Sequence, residues 1–474
     1  MSSPFAEIAR VLGPARVLED EASRTAASRD SWPRALGWGP EELSRHRPAA
    51  VLKPRDEKGL AAVLAWASAA KVGLLARGAG SGVLGAAIPR GPESAVLDAS
   101  SLADRFELDP RPDRPSVTCG AGMLGSDLEA KLQAKGWSLM HFPQSMEDST
   151  AGGWIATDSF GQLSTRYGGV ADQALWVKAW RPDGTSAEEE PAPHLGAEGT
   201  LGILSEVCLR IRPAARSRSF NSFRFRRLAE ALDFARDCMA RPVRPSVLRL
   251  YCPVDAFFNG LRRRGPSHGS SRWMEAAEGI ALRRLRLMYA LSPLAGRHWV
   301  CVAVYEDEPG FERGAPAEAP PGADLGEGPA VRWWERRYHL DRERLERVFQ
   351  RACFADTADL WAPWERLGEL YDGVMAALRP HAFAFAHLSH FDAKGACLYV
   401  TLAGVGPEEH ARAWQAAMEA CVKAGGRVNH HHGVGLAKLP WLSSAKGPEW
   451  LASWSAQKKR RDPGNLLNAG KLCR

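Results

Sequence analysis

Apolar positions along the first half of the chain alternate between two periods, and that alternation predicts mixed helix and strand. Leu60, Val63, Leu64 and Ala67 recur at helical spacing within Glu57 to Ala70. Short apolar runs at 51–54, 72–76, 95–98 and 116–119 read as strands, Leu124 to Lys135 returns to a helical period, and Val207 to Arg212 alternates. Beyond Pro213 the pattern predicts helices at 227–241 and 342–352 and strands at 298–305 and 395–403. Residues 1–44 read as a helical arm in which Asp30 or Ser31 caps a helix starting at Pro33. Pro309 to Gly328 is rich in Pro, Gly, Ala and Glu without apolar periodicity and reads as a mobile surface loop. The chain thus divides into an arm (1–44), an α+β domain (45–213), a second domain (214–430) and a C-terminal segment (431–474). No internal repeat is evident.

Composition narrows the classes. A chain of 474 residues can bury two domain cores, and 45% hydrophobic with 25% charged residues is the balance of a soluble globular protein. No apolar run is long enough to cross a bilayer, and neither Met1–Glu7 nor Lys471–Arg474 reads as a targeting signal, so the cytoplasm is the expected location. The 9 cysteines include no Cys-x-x-Cys pair, which argues against a disulfide framework or a zinc site. Lys and Arg exceed Asp and Glu by 62 to 55, a net +7 that attracts anions. The arginines are dispersed and no nucleic-acid module is present, so the expected partner is a small anionic or lipid-like substrate and not nucleic acid. Leu261-Arg262-Arg263-Arg264 and the Ile280 to Leu291 stretch, with Arg283, Arg284 and Arg286, offer either peripheral contact with an anionic membrane or a solvated amphipathic helix. A homodimer is compatible with these features.

The chemistry begins at Arg77-Gly78-Ala79-Gly80-Ser81-Gly82, directly after a predicted strand. Gly80-Ser81-Gly82-Val83-Leu84-Gly85 fits G-x-G-x-x-G, but a Rossmann loop opens onto a helix, and Ile88-Pro89-Arg90-Gly91-Pro92 stops one here. Clustered glycines can still converge successive N–H groups on a phosphate, or can simply build a turn.

Two further segments follow in order. Pro143 to Thr157 contains Ser149-Thr150-Ala151-Gly152-Gly153 and leads into Gly161 and Tyr167-Gly168; Gly196 to Ile203 contains Glu198-Gly199-Thr200-Leu201-Gly202. The three together resemble the flavin domain of the vanillyl-alcohol oxidase, or PCMH-type, flavoprotein family. The resemblance implies an α+β fold: a two-part PCMH-type FAD-binding domain plus an α/β cap domain with an antiparallel sheet. It implies FAD, with Arg77, Gly78, Ala79, Gly80, Ser81 and Gly82 at the pyrophosphate. Pro143, Ser149, Thr150, Gly152, Gly153, Ala156, Gly161, Tyr167 and Gly168 then pass the isoalloxazine, and Glu198, Gly199, Thr200, Gly202 and Ile203 support its inner side. Ser81 or Gly82 stands where family members with covalent flavin carry His, which implies noncovalent FAD.

Within that family the chain is most similar to alkylglycerone-phosphate synthase and its bacterial FAD-linked oxidase relatives, through 141–145, 246–250, 395–399 and His430-His431-His432-Gly433-Val434-Gly435. The resemblance implies acid/base roles for His141, His430, His431 and His432 and active-site support from Arg249, whose guanidinium suits phosphate or carboxylate. On extended backbone His430 and His432 would share a face. The alternative readings are a solvated histidine run and a surface ion pair. Metal-assisted dehydrogenases of the superfamily carry His-x-Gly-Asp-Gly-Asn-x-His and Glu-His-Gly, but 387–392 and His431 keep neither intact, so no metal is expected.

One departure matters. The synthases have a tyrosine ahead of Gly395-Ala396-Cys397, and here Asp392 or Phe391 takes that place. An FAD-dependent oxidoreductase acting on a small hydroxylated, anionic substrate is therefore the first expectation. The alternative is alkylglycerone-phosphate synthase chemistry, exchanging an acyl group for a fatty alcohol in ether lipid synthesis. A noncatalytic binding protein is the third reading.

Overall fold

Helix α1 (Ala6–Leu12) buries Ile8, and the Phe5 ring lies 5.2 Å from that of Trp66 on α2 (Glu57–Ala70). Asp56 caps α2 by accepting the Gly59 N–H at 2.8 Å, and the predicted stripe Leu60, Val63, Leu64 and Ala67 is fully buried. These residues belong to a computed structural model that describes residues 4–259, 261, 284–310, 314–338 and 353–472. The first 44 residues are not a separate arm: Phe5, Ile8 and Val17 share one core with Leu60, Leu74 and Leu97. Nor does Asp30 or Ser31 cap a helix. The short helix there begins after Trp32, and Asp30 turns inward because its Oδ1 accepts the Trp32 N–H at 3.1 Å and its Oδ2 the Ala87 N–H at 3.2 Å.

The chain forms two compact units. The first comprises the chain up to Gly161, then Gly169–Pro213 and the segment from His431; the second comprises Gln162–Gly168 with Ala214–His430. The first unit has two sheets. One is mixed, in the order β1-β2-β4-β3, from β1 (Val17–Leu18), β2 (Val51–Leu52), β3 (Gly73–Arg77) and β4 (Ser94–Asp98). The other, β5-β6-β10-β8-β9, is antiparallel and uses β5 (Phe106–Asp109), β6 (Ser116–Gly120), β8 (Ala174–Trp180), β9 (Ser186–Glu189) and β10 (Ile203–Arg210), while β7 (Trp137–Ser138) pairs separately with β11 (Arg212–Pro213). Helix α3 (Ala151–Thr157), capped by Thr150, leads into the segment before Gly161.

The second unit is built on one antiparallel sheet, β12-β14-β13-β16-β17-β15, from β12 (Ser217–Phe225), β13 (Val247–Tyr251), β14 (Trp299–Asp307), β15 (Cys353–Pro363), β16 (Phe383–Ser389) and β17 (Gly395–Val405). Its helices include α4 (Leu228–Ala240), α5 (Pro253–Phe258), α6 (Gly328–Arg336), α7 (Leu367–Leu378) and α8 (Pro407–Lys423). Alternation decides its two faces: along β16, Ala384, Ala386 and Leu388 are buried, whereas Phe385 and His387 are only partly so. The loop expected to be mobile is instead bonded to β12 over its described part. Ala323 O accepts the Arg224 N–H, Leu325 N–H donates to Ser222 O, and Ala317 and Ala323 are buried. The predicted helix at 342–352, Arg262–Arg264 and Arg283 lie outside the described residues; of the 280–291 stretch, Leu285–Leu291 is helical. No helix among the described residues is long and apolar enough to cross a membrane.

Candidate functional site

In the first unit the Gly-rich segments converge because their glycines leave no room for side chains. A Cβ on Gly78 would stand 2.4 Å from Thr150 Oγ1, and one on Gly199 2.9 Å from Asn468 Nδ2 and 3.1 Å from Ala76 Cβ. Glu198 N–H donates to Ala156 O at 2.9 Å, joining the second segment to the third. Among the described residues the backbone N–H groups of Ala79, Gly80, Ser81 and Gly82 donate to no protein acceptor, while Gly80 O accepts from both Ser31 N–H and Ser31 Oγ. The loop is thus fastened through its carbonyl and presents a run of open donors, the arrangement that binds a phosphate. These residues fit the pyrophosphate of a dinucleotide cofactor.

Arg77 does other work. Its NH1 donates to Arg29 O at 2.7 Å and to Ala87 O at 3.4 Å, and its guanidinium lies where a Gly80 Cβ would have to be. It shapes the loop from behind instead of offering its charge to an anion. Asp30, almost fully buried beneath the loop, has its carboxyl pushed up to about 6 by burial, against the N–H groups of Trp32 and Ala87 and the charges of Lys471 and Arg77. Lys471 donates to Gly85 O at 2.7 Å, and burial pulls its ammonium down to about 8 while Asp30 and Glu198 oppose the shift.

Several residues expected at the cofactor are occupied elsewhere. Ser149 Oγ accepts from Trp154 Nε1 at 2.8 Å, and Thr200 Oγ1, fully buried, donates to Ala197 O and accepts from Trp454 Nε1. Gly152, Gly161 and Gly202 permit close backbone packing against Ala121, Phe142 and Trp180, Pro143 O accepts the Met146 N–H, and Ile203 begins β10. Gly153 N–H donates to the Thr150 cap. Tyr167 and Gly168 fall in the second unit, where Tyr167 O–H meets Glu306 Oε2 at 3.0 Å and also Glu308 Oε1. Arg166 and Arg218 neutralise those buried carboxylates. Glu198 holds the C-terminal return: its carboxylate accepts the N–H groups of Val434 and Gly435.

The histidine run is bent, not extended, so the alternation expected for it fails. His431 and His432 rings lie edge to face at 4.5 Å, and His430 instead stacks on His390 at 5.4 Å. His431 and His432 belong to the first unit, where a Cβ on the following Gly433 would meet Glu198 Oε1 at 2.7 Å and Thr157 Cγ2 at 3.7 Å. His141 is fully buried against Trp154, with Nε2 3.0 Å from Ser159 Oγ and Nδ1 without a hydrogen-bond partner. Burial alone drives its imidazole down to about 3. A neutral, buried imidazole argues for packing over the expected acid/base role.

In the second unit a polar row crosses four strands. Tyr251 pairs with His387, His387 with Tyr399, and Tyr399 with Asp359, so all four side chains emerge on one face. Arg249, two residues from Tyr251, shares that face, lies 4.9 Å over the Trp333 ring and donates to His387 Nε2 at 3.3 Å. His387 Nδ1 meets Asp255 Oδ2 at 2.9 Å. Asp359 accepts the His430 N–H at 2.9 Å, and His390, at φ 52, bonds Ser164 Oγ through Nδ1 at 2.6 Å. Phe391 is fully buried against Trp364, and Asp392 Oδ1 accepts the Lys394 and Gly395 N–H groups of the turn into β17.

Sequence reasoning named none of Asn468, Lys471, Asp255 and Asp359 as site residues and read Asp30 only as a helix cap. Asn468 Oδ1 accepts the Ala76 N–H across 392 residues, a pairing no local pattern signals. For Asp255 the only signal is its place in the first turn of α5, which by itself means a helix start.

Comparison with known proteins points to the same cofactor. A model of FAD binding domains matches residues 48–188, and a model of the C-terminal domain of FAD linked oxidases matches residues 321–472. An alkyldihydroxyacetonephosphate synthase of Dictyostelium discoideum is 26% identical over 457 residues, covering 90% of this chain and 74% of the relative. An uncharacterized FAD-linked oxidoreductase of Escherichia coli (strain K12) is 25% identical over 463 residues, covering 90% and 89%. Among solved structures, an alkyldihydroxyacetonephosphate synthase superposes with TM-score 0.75 at 21% identity over 98% of this chain and 86% of that one. p-Cresol methylhydroxylase with substrate bound gives 0.68 at 12% identity over 99% and 96%. These structural likenesses establish the shared fold.

Proposed function

We propose, for an enzyme that belongs to the FAD-linked oxidases with a PCMH-type FAD-binding domain, that its reaction is the oxidation of a small hydroxylated substrate bearing an anionic group. FAD is its cofactor, and we read it as held noncovalently by the open N–H groups of Ala79 to Gly82. When bound, FAD supplies a two-electron acceptor for the hydride leaving the substrate carbon. His431 and His432 then serve to take the hydroxyl proton, being paired imidazoles beside Gly433 and the Thr157 and Glu198 segments. In the second unit we read Arg249 as an anion-binding residue.

The observation that carries oxidation over group exchange is the engagement of Asp392. Its Oδ1 accepts two turn N–H groups, and the neighbouring Phe391 is buried, so neither supplies the acid/base group of the expected tyrosine. Exchange on a dihydroxyacetone phosphate remains the second reading because of the 26% identity to an alkyldihydroxyacetonephosphate synthase over 90% of this chain. Anaerobic mixing of FAD-loaded protein with a panel of 2-hydroxy acids and sugar acids decides between them. Bleaching of the flavin absorbance by a panel member is expected. No bleaching, together with incorporation of labelled fatty alcohol into an acylated triose phosphate, would overturn the oxidation reading.

A further inference from the structure

Arg249 is held by a relay that fixes which of its edges is open. Its NH1 donates to His387 Nε2 at 3.3 Å and approaches Tyr251 O–H at 3.5 Å, and Trp333 covers one face of the guanidinium. Its Nε–H, buried, has no protein acceptor among the described residues. An unpaired buried donor is costly, and the Nε side of an arginine belongs to the fork that grips a planar carboxylate or a phosphate.

The ring that receives NH1 has its tautomer dictated from both sides. A guanidinium N–H can only donate, so His387 Nε2 must present a lone pair. Asp255 Oδ2, at 2.9 Å from Nδ1, is an acceptor, so the ring proton sits on Nδ1. Asp255 is itself buried and fixed, with Oδ1 accepting from Asn259 and its backbone N–H meeting Cys252 Sγ at 3.4 Å. Tyr399, 5.0 Å away and stacked, and Tyr251, at 4.9 Å, bracket the imidazole across the sheet. The carboxylate, the ring and the guanidinium form one chain from α5 through β16 to β13.

We infer that Asp255 and His387 are positioning residues: they hold the neutral Nδ1–H imidazole whose Nε2 anchors Arg249 and leaves its Nε edge for a carboxylate or phosphate of the substrate. The inference rests on the reading of Arg249 as the anion-binding residue. The groups facing His387 are Asp255 from α5, Arg249 and Tyr251 from β13 and Tyr399 from β17. Burial raises both tyrosines, Tyr251 to about 12, so neither titrates near neutrality. For His387 burial is the largest influence and lowers its pKa, Arg249 adding to it and Asp255 opposing.

The test is calorimetric titration of the full-length, FAD-loaded protein with inorganic phosphate, oxalate and, as a neutral control, glycerol. Stronger binding of phosphate than oxalate assigns the site to a phosphorylated substrate, the reverse order to a carboxylate. R249M should abolish anion binding. H387N, which keeps a donor for Asp255 but loses the acceptor for NH1, should weaken it about tenfold or more; H387Q, whose amide oxygen replaces Nε2 as acceptor, should stay within about threefold of wild type. Equal weakening in H387N and H387Q, or none in either while R249M abolishes binding, overturns the relay and leaves the Arg249 reading standing. Wild type that binds neither anion, or R249M that binds like wild type, overturns the Arg249 reading and the relay with it. Should H387N fail to fold, D255A decides the matter: it loses the acceptor that holds the ring proton on Nδ1 and should weaken phosphate and oxalate binding, while H387Q does not. D255A that binds both anions like wild type would also overturn the relay.

Discussion

The carboxylate of Glu198 accepts the backbone N–H of Gly435 at 3.0 Å, across 237 residues of sequence. Gly435 sits at φ 53, and a Cβ there would lie 2.1 Å from Leu84 O, so the turn after the histidines fits only with a glycine and a fixed acceptor. Through this contact the third Gly-rich segment sets the position of His431 and His432. E198A should destabilise the protein by about 2 kcal/mol, the scale of losing a charge-assisted buried bond, and should lower turnover more than FAD affinity. Urea unfolding and fluorescence titration with FAD would measure the two effects. A variant with wild-type turnover would mean that the histidine turn stands without Glu198.

The close approach of Gly78 to Thr150 makes a sharper test of the cofactor loop. G78A places a methyl 2.4 Å from Thr150 Oγ1, so the loop must shift and FAD affinity should drop at least tenfold while the fold persists. T150A removes that oxygen at the cost of about 1 kcal/mol for the lost cap, and the G78A/T150A pair should recover FAD binding. Equilibrium dialysis of all three variants against FAD would check this. A double variant no better than G78A would show that glycine is required there for another reason.

How much of this was legible in the sequence depends on the range of each interaction. The α2 stripe and the strand at 395–405 follow from local periodicity, and the structure places them within a residue or two of the prediction. The glycine segments announced themselves because a missing Cβ is a local property with a spatial consequence. What could not be read is which polar groups are engaged by partners hundreds of residues away. Thr200, Glu198 and Tyr167 sit in the cofactor-like segments, yet Trp454, Gly435 and Glu306 take up their polar atoms. The histidine run misled for a different reason: alternation presumes extended backbone, and the chain bends at all three residues.

Tyr167 separates a cofactor role from a structural one. Its O–H lies between the buried carboxylates of Glu306 and Glu308, so Y167F leaves both without that donor and should cost about 1–3 kcal/mol. FAD affinity and the flavin absorbance spectrum should be unchanged. If FAD binding weakens while thermal unfolding does not move, Tyr167 is a cofactor ligand after all.

His141 gives the chain a specific acid sensitivity. In the fold its imidazole is held at about 3 by burial, against the ordinary 6.5 it regains on unfolding. Between those values the unfolded chain binds the proton and the folded chain does not, so stability falls as pH drops through 6.5 toward 3, by up to about 1.4 kcal/mol per pH unit from this one group. H141F removes the titrating ring at similar bulk. It should lower stability at pH 7.5 through loss of the Ser159 contact, yet flatten the decline between pH 6 and pH 4.5 by close to one proton. Urea unfolding at pH 7.5, 6, 5.2 and 4.5 for wild type and H141F would resolve the difference. Parallel declines in the two proteins would mean that His141 takes up its proton without unfolding, and would return it to the candidates for acid/base chemistry.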